Sequence, residues 1–91
     1  MHGIIRSYKY ERENGPEIAS QANGAFKEIL MAHDGFIDFH FIDSGDGEGA
    51  AVCFFESKEA AEASTFLAGG YIHDHLAALM PNMPHIIEGS L

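Results

Sequence analysis

The chain has 91 residues with 14 Asp and Glu against 5 Lys and Arg, enough for one domain over residues 1–91 that hides about 64% of its unfolded surface. A formal net charge of −9 argues against nucleic acid and anionic membrane as partners, since both need a basic footprint. A single cysteine, Cys53, rules out an intrachain disulfide. No signal peptide and no apolar run near the ~18 residues of a membrane span is visible, so a soluble cytoplasmic protein is expected.

Residues 3–10 alternate at period two and predict a first strand, with Ile4, Arg6, Tyr8 and Tyr10 on one face and Ile5, Ser7 and Lys9 on the other. Gly15-Pro16 suits a turn into a helix, since proline is tolerated in a first helical turn. Over 17–32 the residues Ile18, Ala22, Ala25, Phe26, Ile29 and Leu30 make an apolar stripe at helical spacing. Gly24 inside this helix marks either a close backbone approach or simple tolerance. Gly35 occupies the usual place of a left-handed cap.

Two strand-like runs follow, 36–42 and 50–56, joined by the glycine-rich acidic cluster 43–49, which reads as a hairpin. Ile37, Phe39 and Phe41 are assigned to one face and Phe36, Asp38, His40 and Ile42 to the other. Both faces of the hairpin are largely apolar, so the sheet calls for a cover on each side: helices on one, a partner sheet on the other. Cys53 lies within the second run and reads as a small buried hydrophobe. Ser57 is a good N-cap for a helix that packs through Ala60, Ala63 and Leu67 and leaves Lys58, Glu62 and Thr65 to solvent. Gly69-Gly70 predicts an interruption, followed by a second helical piece over 71–80 with Ile72, Leu76 and Leu79 as its seam. Residues 84–91 form a terminal strand or tail.

Strand, helix, strand, strand, helix, strand is the ferredoxin-like βαββαβ order with an antiparallel sheet and both helices on one face. Its open face favours a homodimer in which two sheets face each other. Arg6, Tyr8, Asp38 and His40 interrupt the apolar strands. On a shared sheet face they would serve either as hydrogen-bonding groups of a pocket or as a polar network in the dimer interface. His33, His73, Asp74 and His75 give no metal site, because His73 and His75 diverge by about 200° on a helix. The acidic loop lacks the spacing of a calcium-binding loop.

Three stretches resemble the antibiotic biosynthesis monooxygenase-like proteins of the dimeric α+β barrel superfamily: Asp34-Gly35-Phe36, Phe55-Glu56-Ser57-Lys58-Glu59-Ala60-Ala61, and the segment 71–80 with its following strand. The resemblance implies a pocket between sheet and helices and, for an enzyme, a cofactor-independent monooxygenase acting on a small aromatic or quinol-type molecule. The family commonly has Trp where Phe55 stands, and a His or Tyr near the start of the late helix, a place that Tyr71 and His75 take here. The catalytic candidates are therefore His75 and His40, with His75 as a base toward a phenolic or enolic substrate. Arg6, Tyr8, Phe55 and Tyr71 are the substrate-binding candidates. The alternative reading has Tyr71 and His75 as ordinary boundary residues of an amphipathic helix. Haem-degrading relatives carry an Asn on the first strand, which the first strand here lacks, and a His on the late helix, close to where His75 falls; a haem-binding or haem-degrading protein is a lesser alternative that the resemblance implies. No cofactor is expected, and a non-catalytic ligand-binding or dimeric assembly module is the rival reading.

Overall fold

Eight residues with alternating inward and outward side chains make the first strand, β1 (His2–Lys9). Ile4, Arg6 and Tyr8 are buried, and Ile5 and Lys9 face solvent, as the period of a half-covered strand requires. The computed structural model describes residues 1–91. A short 3-10 turn (Arg12–Asn14) leads into α1 (Gly15–Gln21), a π-helical turn (Ala22–Phe26) and α2 (Lys27–Met31), which run on as one rod. The hairpin strands β2 (Phe36–Asp43) and β3 (Glu48–Phe55) follow. Then come α3 (Lys58–Tyr71), a second π turn (Ile72–Leu76) and β4 (His85–Ser90).

The sheet order is β2-β3-β1-β4 with every neighbouring pair antiparallel. This is the ferredoxin-like arrangement expected from the element order. Ile4, Tyr8, Phe39, Phe41, Ala51, Cys53 and Phe55 from the sheet meet Ile18, Ala22, Phe26, Leu30, Ala61, Ala68 and Leu76 from the two rods in one core. No helix is long and apolar enough to cross a membrane.

Both rods have a feature that the period of 3.6 does not anticipate. The buried apolar side chains of the first rod are Ile18, Ala22, Phe26 and Leu30; the buried residues of the second include Ser64, Ala68, Leu76 and Met80, with Ile72 half-buried between them. A spacing of four drifts by about 40° per step around an α-helix. A π turn, bonded i→i+5, rotates less per residue, and inserting one in each rod returns the stripe to the sheet.

Several expectations change for local reasons. Ala25 and Ile29 are exposed, because the four-residue stripe leaves them outside. Gly69-Gly70 does not break the helix; α3 runs through both, and a Cβ at either would meet open space. Gly24 likewise faces open space, which removes the close-approach reading. The second rod is rotated by about one residue, so that Ala61, Ser64 and Ala68 are fully buried, Ala60 and Leu67 pack half-buried against the core as expected, Ala63 faces solvent and Thr65 is half-buried. Regular helical bonding ends at Leu76 instead of continuing as a separate piece over 71–80.

A β-bulge between Phe36 and Asp38 turns Phe36 inward, opposite Phe55, and leaves Ile37 exposed. Their rings meet edge-on at 6.1 Å. Gly35, at φ 83°, is required twice: by its left-handed backbone and by Ala60, whose Cβ would lie 2.8 Å from an added Cβ.

Candidate functional site

Between the sheet and the two π turns lies a cavity of about 30 Å³, room for about two waters. Twelve of the thirteen residues around it are apolar or aromatic, and the thirteenth is Arg6. Five of them are aromatic: Tyr8, Phe26, Phe39, Phe41 and Tyr71. Phe26 packs edge-on against Phe39 at 5.5 Å and is tilted against Tyr71 at 5.4 Å, while Tyr8 and Phe41 lie 6.4 Å apart. These contacts make two groups of packed rings on the cavity wall, Phe39-Phe26-Tyr71 and Tyr8-Phe41.

Arg6 enters this wall because β1 alternates, and the inward face of β1 carries it beneath α3. It is 1% exposed. Its Nη1 donates to Ser64 Oγ at 3.3 Å and Thr65 Oγ1 at 3.4 Å. Ser64 Oγ in turn donates to the Ala61 carbonyl at 2.6 Å, so Ser64 is held as an acceptor toward the guanidinium. Nε and Nη2 of Arg6 are buried and make no well-formed hydrogen bond, while the Tyr8 hydroxyl and the Cys53 thiol lie beside the guanidinium and feel it as a neighbouring donor. None of the ion pairs of the fold involves Arg6. An isolated buried cation is among the costliest groups a fold can carry. Burial pushes the Tyr8 hydroxyl above its ordinary value, and the Arg6 charge opposes the shift; the Cys53 thiol is raised by burial against the same charge. Arg6 thus has neutral groups around it at physiological pH.

Tyr71 closes the cavity at the junction of the rods. Its hydroxyl donates to Gln21 Oε1 at 2.9 Å, tying the start of one π turn to the start of the other. On its outer side the ring contacts His75, with centroids 4.6 Å apart. His75 is exposed and does not line the cavity.

A wider groove, about 380 Å³, lies beside the cavity on the side of β4, bordered by Gly69, Ile72, His73, Ala77, Met80 and Met83. Arg6 and Tyr8 line it as well.

The structure brings Arg6, Tyr8 and Tyr71 together and separates the other candidates. Phe55 is buried at the opposite end of the core, against Phe36, and does not reach the cavity. His40 lies on the outer face of the sheet. Its register runs His40 to Val52 to Ile5, whereas Phe39 runs to Cys53 and Ile4 on the inner face. The shared face expected for Arg6, Tyr8, Asp38 and His40 therefore does not exist. Asp38 and His40 instead pair with each other at 3.1 Å in the open. The Phe39 backbone N–H, and after it His40, hold the Asp38 carboxyl below its usual range. Sequence reasoning did not single out Gln21, Ser64 or Thr65. The four-residue spacing from Ser64 to Met80 is the signal that would have placed Ser64 inward.

No cluster of three metal-ligating side chains forms. No histidine lines the inner cavity, whereas His73 borders the outer groove.

No protein-family model matches the sequence, and no curated protein matches it. Solved structures do match across its length. A monooxygenase from the gene ActVA-Orf6 of Streptomyces coelicolor, in complex with nanaomycin D, aligns with a TM-score of 0.78 and 16% identity over 99% of this chain and 86% of that one. The heme-degrader MhuD of Mycobacterium tuberculosis, with two hemes in its active site, aligns with a TM-score of 0.74 and 19% identity over 100% and 95%. A putative antibiotic biosynthesis monooxygenase from Nitrosomonas europaea gives 0.77 and 13% over 99% and 88%. The chain has the ferredoxin-like fold of the antibiotic biosynthesis monooxygenase-like proteins.

Proposed function

We propose that this chain acts as a cytoplasmic homodimer that oxygenates a small aromatic or quinol-type molecule without a cofactor, in the pocket between sheet and helices. The observation that carries the reading is the buried guanidinium of Arg6, with two donors that make no well-formed hydrogen bond, set in a wall of five aromatic rings. Such a site suits an aromatic ligand bearing an oxygen anion: the rings receive the apolar body and Arg6 receives the charge. In the reaction the substrate itself is the reductant. Loss of a proton gives a phenolate or enolate, which transfers electrons to O2. One oxygen atom becomes a ring carbonyl, and the other leaves as water with two hydrogens of the substrate.

Arg6 holds the negative charge of the ligand, Tyr8 and Tyr71 border it, and His75, in ring contact with the outer side of Tyr71, is the base that takes up the proton. The present volume of about 30 Å³ requires the wall to open for any aromatic ring, and this supports the rival reading of a non-catalytic binding or assembly module.

Oxygen uptake with anthrone and 1,4-naphthoquinol decides between them. The expected result is one O2 consumed per anthrone, with a label from 18O2 in the anthraquinone carbonyl. Arg6→Met and Tyr71→Phe should lower the rate by about tenfold or more. Labelled product at the uncatalysed rate in all three proteins assigns the chain to the binding-module class.

A further inference from the structure

The unpaired atoms of Arg6 carry more information than the presence of a charge. Nη1 is engaged by Ser64 and Thr65, which pins the plane of the guanidinium. The two buried donors left without a well-formed hydrogen bond are Nε and Nη2, with only the neutral Tyr8 hydroxyl and Cys53 thiol beside the guanidinium. These lie on one edge of the guanidinium, with parallel N–H bonds, and that edge grips a carboxylate through two hydrogen bonds at once. A phenolate brings a single oxygen and leaves one buried donor poorly served, a loss that a carboxylate avoids.

Arg6, Tyr8, Ala68, Ile72 and Met80 border both the inner cavity and the outer groove. They form the partition between a 30 Å³ space and a 380 Å³ one. Met80, an unbranched side chain with three rotatable bonds, is the part of that partition most able to swing aside.

Resting on the reading of the pocket given above, we propose that the ligand is an aromatic carboxylate. Its two oxygens lie on Nε and Nη2 of Arg6, and its ring lies against the aromatic wall at Tyr8 and continues past Met80 into the groove. The carboxylate is a handle, and the ring remains the part open to oxidation. This use of Arg6 also accounts for a cation kept in the core without an acidic partner. The charge is desolvated in advance, and the ligand supplies the counter-ion.

Calorimetric titration with 2-naphthoate and its neutral isostere 2-naphthamide tests the proposal. The wild-type chain should bind the acid at least about tenfold more tightly than the amide. Arg6→Lys keeps the charge but not the two-donor edge, and should lose about tenfold in affinity for the acid. Arg6→Met should show no preference between the two, with its melting curve confirming that it folds. Equal affinities for acid and amide in the wild-type chain, or binding of neither, overturns the proposal whatever the variants do. The two readings fail separately. Arg6-dependent binding of naphthoate with no oxygen uptake on any quinol removes the oxygenase and leaves the carboxylate site. Uptake on neutral quinols with no preference for the acid does the reverse.

Discussion

At residue scale, Tyr10 illustrates how a buried phenol ties two loops together. Its hydroxyl donates to Asp43 Oδ1 at 2.8 Å, and its backbone N–H reaches the Gly47 carbonyl at 2.9 Å. Burial first, and Asp43 after it, push the Tyr10 hydroxyl well above its ordinary value of 10.0, and Tyr8 is raised by burial as well. The folded chain therefore keeps protons that the unfolded chain releases near pH 10. This stabilisation is complete below that pH and is lost as pH rises above it. The melting temperature should accordingly be level through neutral pH and fall above pH 10. Tyr10→Phe should melt lower at pH 7, by about 1 kcal/mol for the lost hydrogen bond, and should show a shallower alkaline decline. An equal alkaline slope in the variant would mean that other groups cause it. The inward direction of Arg6 was legible from period two in β1. Its lack of an acidic partner was not, because that depends on what α3 and β3 place around it.

At the scale of elements, the two rods show where helical pattern reading works and where it needs a longer window. The paired glycines of α3 suggest a break, since glycine costs about 0.5–1 kcal/mol in a helix interior. The helix nevertheless continues, held by packing of Ala61, Ser64 and Ala68 on the sheet. Because a Cβ at Gly69 or Gly70 meets nothing, Gly69→Ala and Gly70→Ala should each raise stability by about 0.5–1 kcal/mol, read as a higher midpoint in urea. Gly35→Ala should do the opposite, by about 1–3 kcal/mol, because it combines a left-handed backbone with a clash against Ala60. A neutral outcome at position 35 would show that the turn can relax. The π turns were readable in principle from the spacing of four along 18–30 and 64–80, a pattern that a search for 3.6-residue periodicity passes over.

For the whole molecule, neither rod covers the outer face of the sheet. Ile5, Ile42 and Ile87 are 43%, 58% and 61% exposed, and Val52 and Phe54 lie half-buried on the same face. Ile5 stands opposite Val52 on one side and Ile87 on the other, so the apolar strip crosses three strands. Burying such residues contributes about 1.5–3 kcal/mol each, and a second copy of the sheet would bury them all together. Sedimentation analysis should find a dimer for the wild-type chain and a monomer for Ile5→Lys, whose ammonium would have to be desolvated in the interface. A wild-type chain that sediments as a monomer at high concentration would remove the barrel arrangement.

The element order, the inward face of β1 and the apolar character of both sheet faces were determined by the sequence alone. Each rests on neighbours within a few residues, where the alternation of a strand or the turn chemistry of glycine acts directly. Only the tertiary structure decided that His40 lies across the sheet from Arg6. Strand register sets which residues share a face, and register depends on pairing between segments far apart in the chain. In the same way, packing joined Arg6, Tyr8 and Tyr71 into one wall and left His75 outside it. The π turns rotate the rods, and the position of each rod on the sheet selects which side chains reach the cavity.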